Sequence, residues 1–416
     1  MDLAGNTGRL PFQGIGWYRK TFTVDEADQG KRFYVDFDGV MANAQVWLNG
    51  EYVGTWPYGY NSFRLDLTSF IQVGKENLLA VRTDTEKWDS RWYPGAGIYR
   101  HVWLVKTGQV HVRHWGTKME TTNLTEKTAD LHFTVEVENH LNEETQAVVK
   151  TSVYELDSLD CLGKRVLRFD DQTLPLKAMS AGKVDLQKQM DDCKRWDIES
   201  PNRYMACVTI QVDGEETDRY YTPFGVRETS VSRDGFFLNG RRVEIKGVCN
   251  HHDLGALGAA FNRSALERQF RIMREMGCNS IRTSHNPPAP ELLDLADKTG
   301  MLIMDEAFDA WAHGKREWDY NKLYEAWHQK DLEALVRRDW NHPSVVFWSI
   351  GNEVLEQQDV EMTRHLVEIV KELDQTRPVT NGYNDPNGGR ASGASMALDV
   401  MGVNLSLIHI SEPTRH

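Results

Sequence analysis

The apolar stretch Val345–Val354, "VVFWSIGNEV", ends in polar residues whose side chains could do chemistry. Its first residues are too apolar for a sheet edge and predict a buried β-strand. Asn352 and Glu353 therefore follow directly after a buried strand, where a carboxyl group could act as a general acid and base. A single glutamate in such a place is often only a solvated loop residue, so the hypothesis depends on what the other strands present.

Polar side chains also follow three other apolar strands. They are Asn250, His251, His252, Asp253, Arg282, His285, Asn286, Asp305 and Glu306, and Trp311 and Trp348 lie nearby in sequence. Polar groups of this kind hydrogen-bond the hydroxyls of a neutral polyol, and aromatic faces cover its C–H surfaces. The set therefore predicts a site for a sugar.

The residues alone do not decide which second carboxyl group works with Glu353. Glu306 follows the neighbouring strand, and glycosidases place two carboxyl groups about 5–5.5 Å apart for retention or about 6.5–9.5 Å apart for inversion. Neighbouring strands could satisfy either distance. The adjacent histidines of "NHHD" could bind a metal, but successive side chains on a strand point to opposite faces. We therefore favour substrate hydrogen bonding or packing for His251 and His252.

These strand ends meet if residues 229–404 form one parallel sheet. From Thr229 onward, strands such as "RRVEIKGVC" alternate with helices such as "SALERQFRIMREMGC", which stops at Gly277. Six strands in this order predict a (β/α)₈ TIM barrel that is two strands short of closure, with its site at the C-terminal strand ends. Short alternating segments predict two β-sandwiches before it, over residues 1–107 and 108–228, the second of immunoglobulin size.

Composition excludes several classes of function. The 48 basic and 61 acidic residues give a net charge of −13, which argues against nucleic acid or an anionic membrane as a partner. No apolar run approaches the roughly 18–20 residues of a membrane-spanning helix. The five scattered cysteines form no metal or disulfide pattern. The start lacks a signal peptide, which predicts a cytoplasmic protein, or a periplasmic one if the true N-terminus is missing.

Seven stretches, taken together, resemble family 2 glycoside hydrolases, most closely the bacterial β-galactosidase-like branch. They are "GIGWYRKTF", "FDGVMANAQVWLNGEYVG", "RWYPGAGIYRHVWL", "FGVRETSVSRDGFFLNGRRVEIKGVCNHHDLGALG", "IRTSHNPP", "DEAFDAW" and "RDWNHPSVVFWSIGNEV", in family order from Gly14 to Asn404. The resemblance implies a jelly-roll sugar-binding domain over residues 1–107, an immunoglobulin-like sandwich over 108–228 and a partial TIM-barrel catalytic domain over 229–404. It also implies retaining exo-hydrolysis of terminal β-galactosides by two glutamates.

The resemblance also assigns roles to single residues. Glu353 corresponds to the family's acid/base, and Asn352 contacts the sugar's 2-hydroxyl. Further substrate contacts are expected at His251, His252, His285, Arg282 and Trp311. Glu306 becomes a carboxylate that supports the site without touching the substrate.

The family's nucleophile lies on a seventh strand that this sequence does not reach. Residues 405–416, "LSLIHISEPTRH" after Asn404, resemble translated sequencing adapter, so we interpret them as a non-native tail and reject Glu412 as nucleophile. We therefore expect a C-terminally truncated, inactive chain with a clipped first domain. We leave open whether the full-length parent forms a homo-oligomer.

Three alternatives accompany this interpretation. Some β-galactosidases hold magnesium just after the third strand, where Asp309 and His313 of "DEAFDAWAHG" are weak equivalents, so no metal is assigned. A β-glucuronidase would need basic residues facing the sugar, of which Arg282 is the one that the sequence places there. A non-catalytic carbohydrate-binding protein would keep both sandwiches and a degenerate barrel.

Overall fold

The computed structural model describes residues 13–404, so the predicted tail 405–416, Glu412 and the first twelve residues lie outside the described part. Alternating apolar residues form the first β-sandwich. Its strands are β1 (Ile15–Thr23), β2 (Arg32–Phe37), β3 (Val40–Met41), β4 (Ala44–Leu48), β5 (Glu51–Trp56), β6 (Phe63–Asp66), β7 (Glu76–Asp84), β8 (Gly97–Ile98) and β9 (Val102–Thr107). The sheets β1-β7-β4-β5 and β6-β2-β9 enclose a core that includes Phe33, Phe37 and Val46.

The second sandwich has longer strands, whose inward positions alternate with exposed ones. They are β10 (Val110–Thr122), β11 (Thr128–Asn139), β12 (Thr145–Leu156), β13 (Leu162–Arg168), β14 (Gln172–Leu176), β15 (Ser180–Asp191), β16 (Arg203–Val212) and β17 (Glu215–Phe224). Sheet β10-β11-β15 packs on sheet β13-β12-β16-β17, and β14 pairs with β12. Buried side chains such as Phe133, Val149 and Val208 fill the space between the sheets.

Residues 229–250 depart from the single strand that "RRVEIKGVC" predicts. Strands β18 (Thr229–Ser232), β19 (Gly235–Leu238) and β20 (Arg241–Val243) form a small antiparallel sheet, and β21 (Gly247–Asn250) starts the parallel sheet after a break. The break arises because β20 pairs with β19, whereas β21 pairs with the next barrel strand. Phe236 and Leu238 pack on Leu302 and Val346, so the small sheet covers the N-terminal ends of barrel strands.

The predicted alternation of strand and helix is confirmed. The strands are β21, β22 (Ser280–Thr283), β23 (Leu302–Glu306), β24 (Val345–Asn352), β25 (Val379–Tyr383) and β26 (Val400–Val403), all parallel and in chain order. The helices are α1 (Arg263–Glu275), α2 (Pro290–Thr299), α3 (Asn321–Asp339), α4 (Val360–Leu373) and α5 (Pro386–Ser392). The described part is therefore an incomplete TIM barrel, as expected, and α5 is an addition that its Gly-rich sequence did not predict.

Local signals explain where the helices begin and end. The Asn262 side chain accepts the Ala265 N–H at 3.0 Å at the start of α1, and Asp359 accepts the Met362 N–H at 2.9 Å at the start of α4. Gly300 takes a left-handed conformation after α2, with φ 71°. No described helix has both the length and the apolar content that crossing a membrane requires.

The first sandwich docks on the barrel through an aromatic interface. Tyr58, Trp88, Trp92 and Tyr99 belong to the same buried cluster as barrel side chains. Polar contacts fix the arrangement, since the Tyr58 hydroxyl donates to the Ala307 carbonyl at 2.8 Å. The first domain and the barrel therefore share one core.

Asp331 of α3 is the buried acceptor at this interface. Its carboxylate accepts hydrogen bonds from Trp56 Nε1 at 2.9 Å, Asn61 Nδ2 at 3.0 Å and the Tyr320 hydroxyl at 2.7 Å. Burial raises the pKa of Asp331 to about 7, because these neutral donors offset only part of the cost of burying its charge.

We expect the contribution of Asp331 to stability to fall as the pH rises from about 4 to above 7, because folded Asp331 binds its proton more tightly than the unfolded chain does. Asp331→Asn retains the hydrogen-bonding capacity and removes the titration. The change in unfolding free energy from pH 5 to pH 8 should therefore be about 2–3 kcal/mol more favourable to the folded state in Asp331→Asn than in the wild type. Urea unfolding at both pH values tests this, with the exposed turn variant Asp213→Asn as control. An unchanged pH dependence in Asp331→Asn would contradict the assignment.

Candidate active site at the C-terminal strand ends

Glu353 follows the last residue of β24 in a left-handed backbone conformation, with φ 47°. Its N–H donates to the Gly382 carbonyl at 2.7 Å, which joins the end of β24 to β25. The side chain is 15 % exposed, and Oε1 accepts a hydrogen bond from Asn404 Nδ2 at 3.2 Å. The carboxylate thus lies at the rim, held at one oxygen and accessible from solvent.

Asn352 is fully buried beside it and connects three strands. Its Oδ1 accepts hydrogen bonds from Arg282 Nη2 at 3.0 Å and Asn404 Nδ2 at 2.9 Å, and its Nδ2 donates to Asp309 Oδ1 at 2.8 Å. Gly382 is needed here, since a Cβ at that position would approach Arg282 Nη2 to 2.7 Å. The amide is therefore rigidly oriented before any ligand binds.

Glu306, at the end of β23, has no exposed surface. His285 Nδ1 lies 2.5 Å from Oε1, and Oε2 accepts from the Ser349 hydroxyl at 2.5 Å and from Arg282 Nε at 2.8 Å. The Glu306 carboxylate raises the pKa of Arg282 against the opposing effect of burial. Both oxygens of Glu306 are occupied by protein donors, so its geometry suits a supporting role beneath the rim.

The three histidines occupy different surroundings. The His251 ring lies between Trp92 and His285, with centroids 4.9 and 5.4 Å away. His252 instead packs on Tyr60 at 5.1 Å, and its Nε2 lies 3.0 Å from the Pro94 carbonyl oxygen. Burial lowers the pKa of His252 to about 3. The structure therefore places His251 and His285 together near the candidate site, and His252 in the interface between the first sandwich and the barrel.

The two tryptophans expected near the sugar do not present a ring face to the candidate site at the C-terminal strand ends. Trp311 is fully buried and donates Nε1–H to the Ile350 carbonyl at 2.8 Å. Trp348 is also buried, and its Nε1 donates to Asp374 Oδ2 at 2.9 Å. Asp305 is also fully buried, and burial and the neighbouring Asp339 carboxylate of α3 raise its pKa. Trp311 thus supports the end of β24 from behind.

Sequence reasoning missed two cations at this rim. Arg91, from the loop between β7 and β8, contacts Asp309 through Nη2 at 2.6 Å and Nε at 3.0 Å, and its Nη1 lies 3.6 Å from Glu353 Oε2. Lys315 Nζ donates to Asp309 Oδ1 at 2.8 Å. Arg91 lies within the stretch "RWYPGAGIYR", but nothing in its residue type indicated that it reaches the barrel from another domain.

Asp309 and His313, the weak equivalents of magnesium ligands, contact different protein partners. Asp309 accepts from Arg91, Lys315 and Asn352, and these donors hold its pKa below the ordinary value against the effect of burial. His313 is 72 % exposed and its Nδ1 lies 2.7 Å from Glu356. The Asp309 carboxylate is thus already paired with two cations and an amide of the protein.

A partial TIM barrel with this polar rim and two β-sandwiches before it defines a multidomain barrel protein of the carbohydrate-active type. The model "Glycosyl hydrolases family 2, TIM barrel domain" matches residues 229–406. The "sugar binding domain" of the same family matches residues 9–108, and "Glycosyl hydrolases family 2" matches residues 110–227. The chain therefore belongs to glycosyl hydrolase family 2.

Individual relatives agree with this membership. A β-galactosidase of Bacteroides ovatus is 45 % identical over 95 % of this chain and 50 % of its own length. A β-glucuronidase of Bacteroides fragilis is 30 % identical over 91 % of this chain and 56 % of its own. A family 2 crystal structure from Bacteroides cellulosilyticus has a TM-score of 0.90 and 37 % identity, and covers 96 % of this chain and 51 % of that one. The chain spans about half the length of these relatives.

The two glutamates should differ in their effects on stability. Glu306→Gln leaves the buried Arg282 without its carboxylate, so we expect a loss of about 3 kcal/mol in unfolding free energy. Glu353→Gln alters a partly exposed side chain and should change it by less than about 1 kcal/mol. Urea unfolding of the 416-residue chain measures both. Equal losses would show that Glu306 is not the structural member of the pair.

Proposed function

We propose that the parent protein is a retaining exo-β-glycosidase that acts on terminal β-galactosides, with Glu353 as its acid/base. The observation that supports this most directly is the contrast among the rim carboxylates. Glu306 and Asp309 are saturated by protein donors, whereas among residues 13–404 the nearest donor to Glu353 Oε2 is Arg91 at 3.6 Å. An acid/base needs such an accessible oxygen, since a proton must leave it and return.

The proposed mechanism has two steps. Protonated Glu353 gives its proton to the glycosidic oxygen as the bond from that oxygen to the anomeric carbon breaks and a carboxylate nucleophile bonds to the carbon. The Glu353 carboxylate then takes a proton from water, whose oxygen displaces the nucleophile. We place that nucleophile on a part of the parent outside residues 13–404.

The residues beside Glu353 would orient the sugar. Asn352 already uses its oxygen and one amide proton within the protein, which leaves its second Nδ2–H for the 2-hydroxyl. His251 and His285 would contact other hydroxyls from the same side. We assign no substrate contact to His252 or Trp311 because of their positions in the interface and behind β24.

Charge favours a neutral sugar over a uronate. Arg282 is paired with Glu306, and Arg91 and Lys315 are paired with Asp309. A sugar carboxylate would need a cation that is free to pair with it. Among the described residues, each of these three cations already contacts a protein carboxylate, which supports a galactoside rather than a glucuronide.

The complete parent polypeptide should hydrolyse 4-nitrophenyl β-galactoside with a kcat/KM at least about ten-fold above that for the β-glucuronide, because a desolvated, unpaired sugar carboxylate is costly. Initial rates on both substrates measure this. A preference for the glucuronide would overturn the galactoside assignment but leave the acid/base role of Glu353 intact.

The 416-residue chain by itself should not turn over 4-nitrophenyl β-galactoside, since a retaining mechanism needs two carboxyl groups and the proposed nucleophile is absent. A sensitive endpoint assay at high protein concentration is the measurement. The matched control is the same chain with Glu353→Gln. Turnover that disappears in this variant would place the second carboxylate within the chain.

A further inference from the structure

The loop between β7 and β8 reaches from the jelly-roll domain into the mouth of the barrel. The Asp89 N–H donates to the Trp318 carbonyl at 2.8 Å, and Trp92 donates Nε1–H to the Tyr60 hydroxyl at 3.1 Å while its ring packs on His251. Gly95 allows a close approach, because a Cβ there would come within 2.5 Å of the Ala259 Cβ. The loop is therefore fixed on both sides of Arg91.

Arg91 connects two carboxylates of the barrel. Its Nε and Nη2 bind both oxygens of Asp309, which is the paired geometry that a planar guanidinium favours. The remaining nitrogen, Nη1, lies 3.6 Å from Glu353 Oε2. This distance is beyond a hydrogen bond, so Oε2 stays available to another partner while the positive charge remains adjacent.

Lys315 completes the arrangement from the barrel side. Its Nζ donates to Asp309 Oδ1 at 2.8 Å and to the Asn352 carbonyl at 2.5 Å. Asp309 also accepts from the Asn352 amide. The charges of Arg91 and Lys315 therefore balance those of Asp309 and Glu353 once Glu353 has given up its proton.

We propose that Arg91 is a positioning residue for the acid/base. It holds Asp309 in place and compensates the charge of Glu353, a function that a divalent cation bound by Asp309 and His313 would otherwise serve. The inference rests on the proposed role of Glu353. It makes a side chain of the jelly-roll domain part of the catalytic centre, and it makes acid/base function independent of magnesium.

The physical reason lies in the change of charge during the reaction. When Glu353 gives its proton to the leaving oxygen it becomes an anion, and a fixed guanidinium next to Oε2 stabilises that anion without having to reorganise. The stabilisation matters most when the leaving group is a poor one, because bond cleavage then depends on proton transfer. A role limited to domain docking would affect good and poor leaving groups equally.

The test compares leaving groups in the complete parent polypeptide. Arg91→Gln should lower kcat/KM for an alkyl β-galactoside by at least about ten-fold and change that for 2,4-dinitrophenyl β-galactoside by less than about three-fold. For the alkyl β-galactoside, Arg91→Lys should have a kcat/KM between those of Arg91→Gln and the wild type. Lysine keeps the positive charge, but a point charge cannot bridge two carboxylates. The control is Arg82→Gln, an arginine of the same domain that pairs with Asp84 at 2.7 Å, and it should alter neither value.

The following results separate the inference from its alternatives. Equal losses on both substrates in Arg91→Gln would reduce Arg91 to a docking contact and overturn the inference. So would magnesium-dependent recovery of the wild-type enzyme after treatment with EDTA, whereas activity unchanged by EDTA supports it. If Glu353→Gln shows no dependence on the leaving group, the proposed function itself fails. If kcat/KM depends on the leaving group in Glu353→Gln but not in Arg91→Gln, only the proposed role of Arg91 fails.

Discussion

The rim of the barrel depends on the need to neutralise one buried carboxylate, Glu306. A charge without access to water must be paired and hydrogen-bonded. Its donors come from both neighbouring strands, with Arg282 on β22 and Ser349 on β24. Arg282 extends to Asn352, which directly precedes Glu353 in the chain. One desolvated anion therefore sets the relative positions of the strand ends that form the candidate site.

The same constraint explains why the jelly-roll domain belongs to the site. Asp309 is nearly as buried as Glu306, and one of its two cationic partners, Arg91, comes from another domain. The aromatic interface fixes the loop that carries Arg91. The docking of the first sandwich and the surroundings of Glu353 consequently depend on the same contacts of the loop that carries Arg91.

Much of the architecture followed from local patterns. The alternation of apolar strands with helices, with Gly277 as a stop after α1, predicted the parallel sheet, and "VVFWSIGN" is buried along its whole length. The exceptions have physical reasons. "RRVEIKGVC" divides into β20 and β21 because its halves pair with different partners. The sequence predicted that Trp311 contacts the sugar, but the Trp311 side chain is buried behind β24. Tertiary packing causes this burial, and a linear sequence pattern does not show it.

The sequence by itself determined the strands, their order and the presence of an amide and a carboxylate after the fourth barrel strand, because periodicity and turn residues act over a few positions. Only the tertiary structure decided which charges meet. Arg91 and Glu353 are far apart in the chain, and His251 and His252 are adjacent yet lie in different surroundings. Electrostatic partners act through space and burial, so the environment of Glu353 exists only in the folded chain.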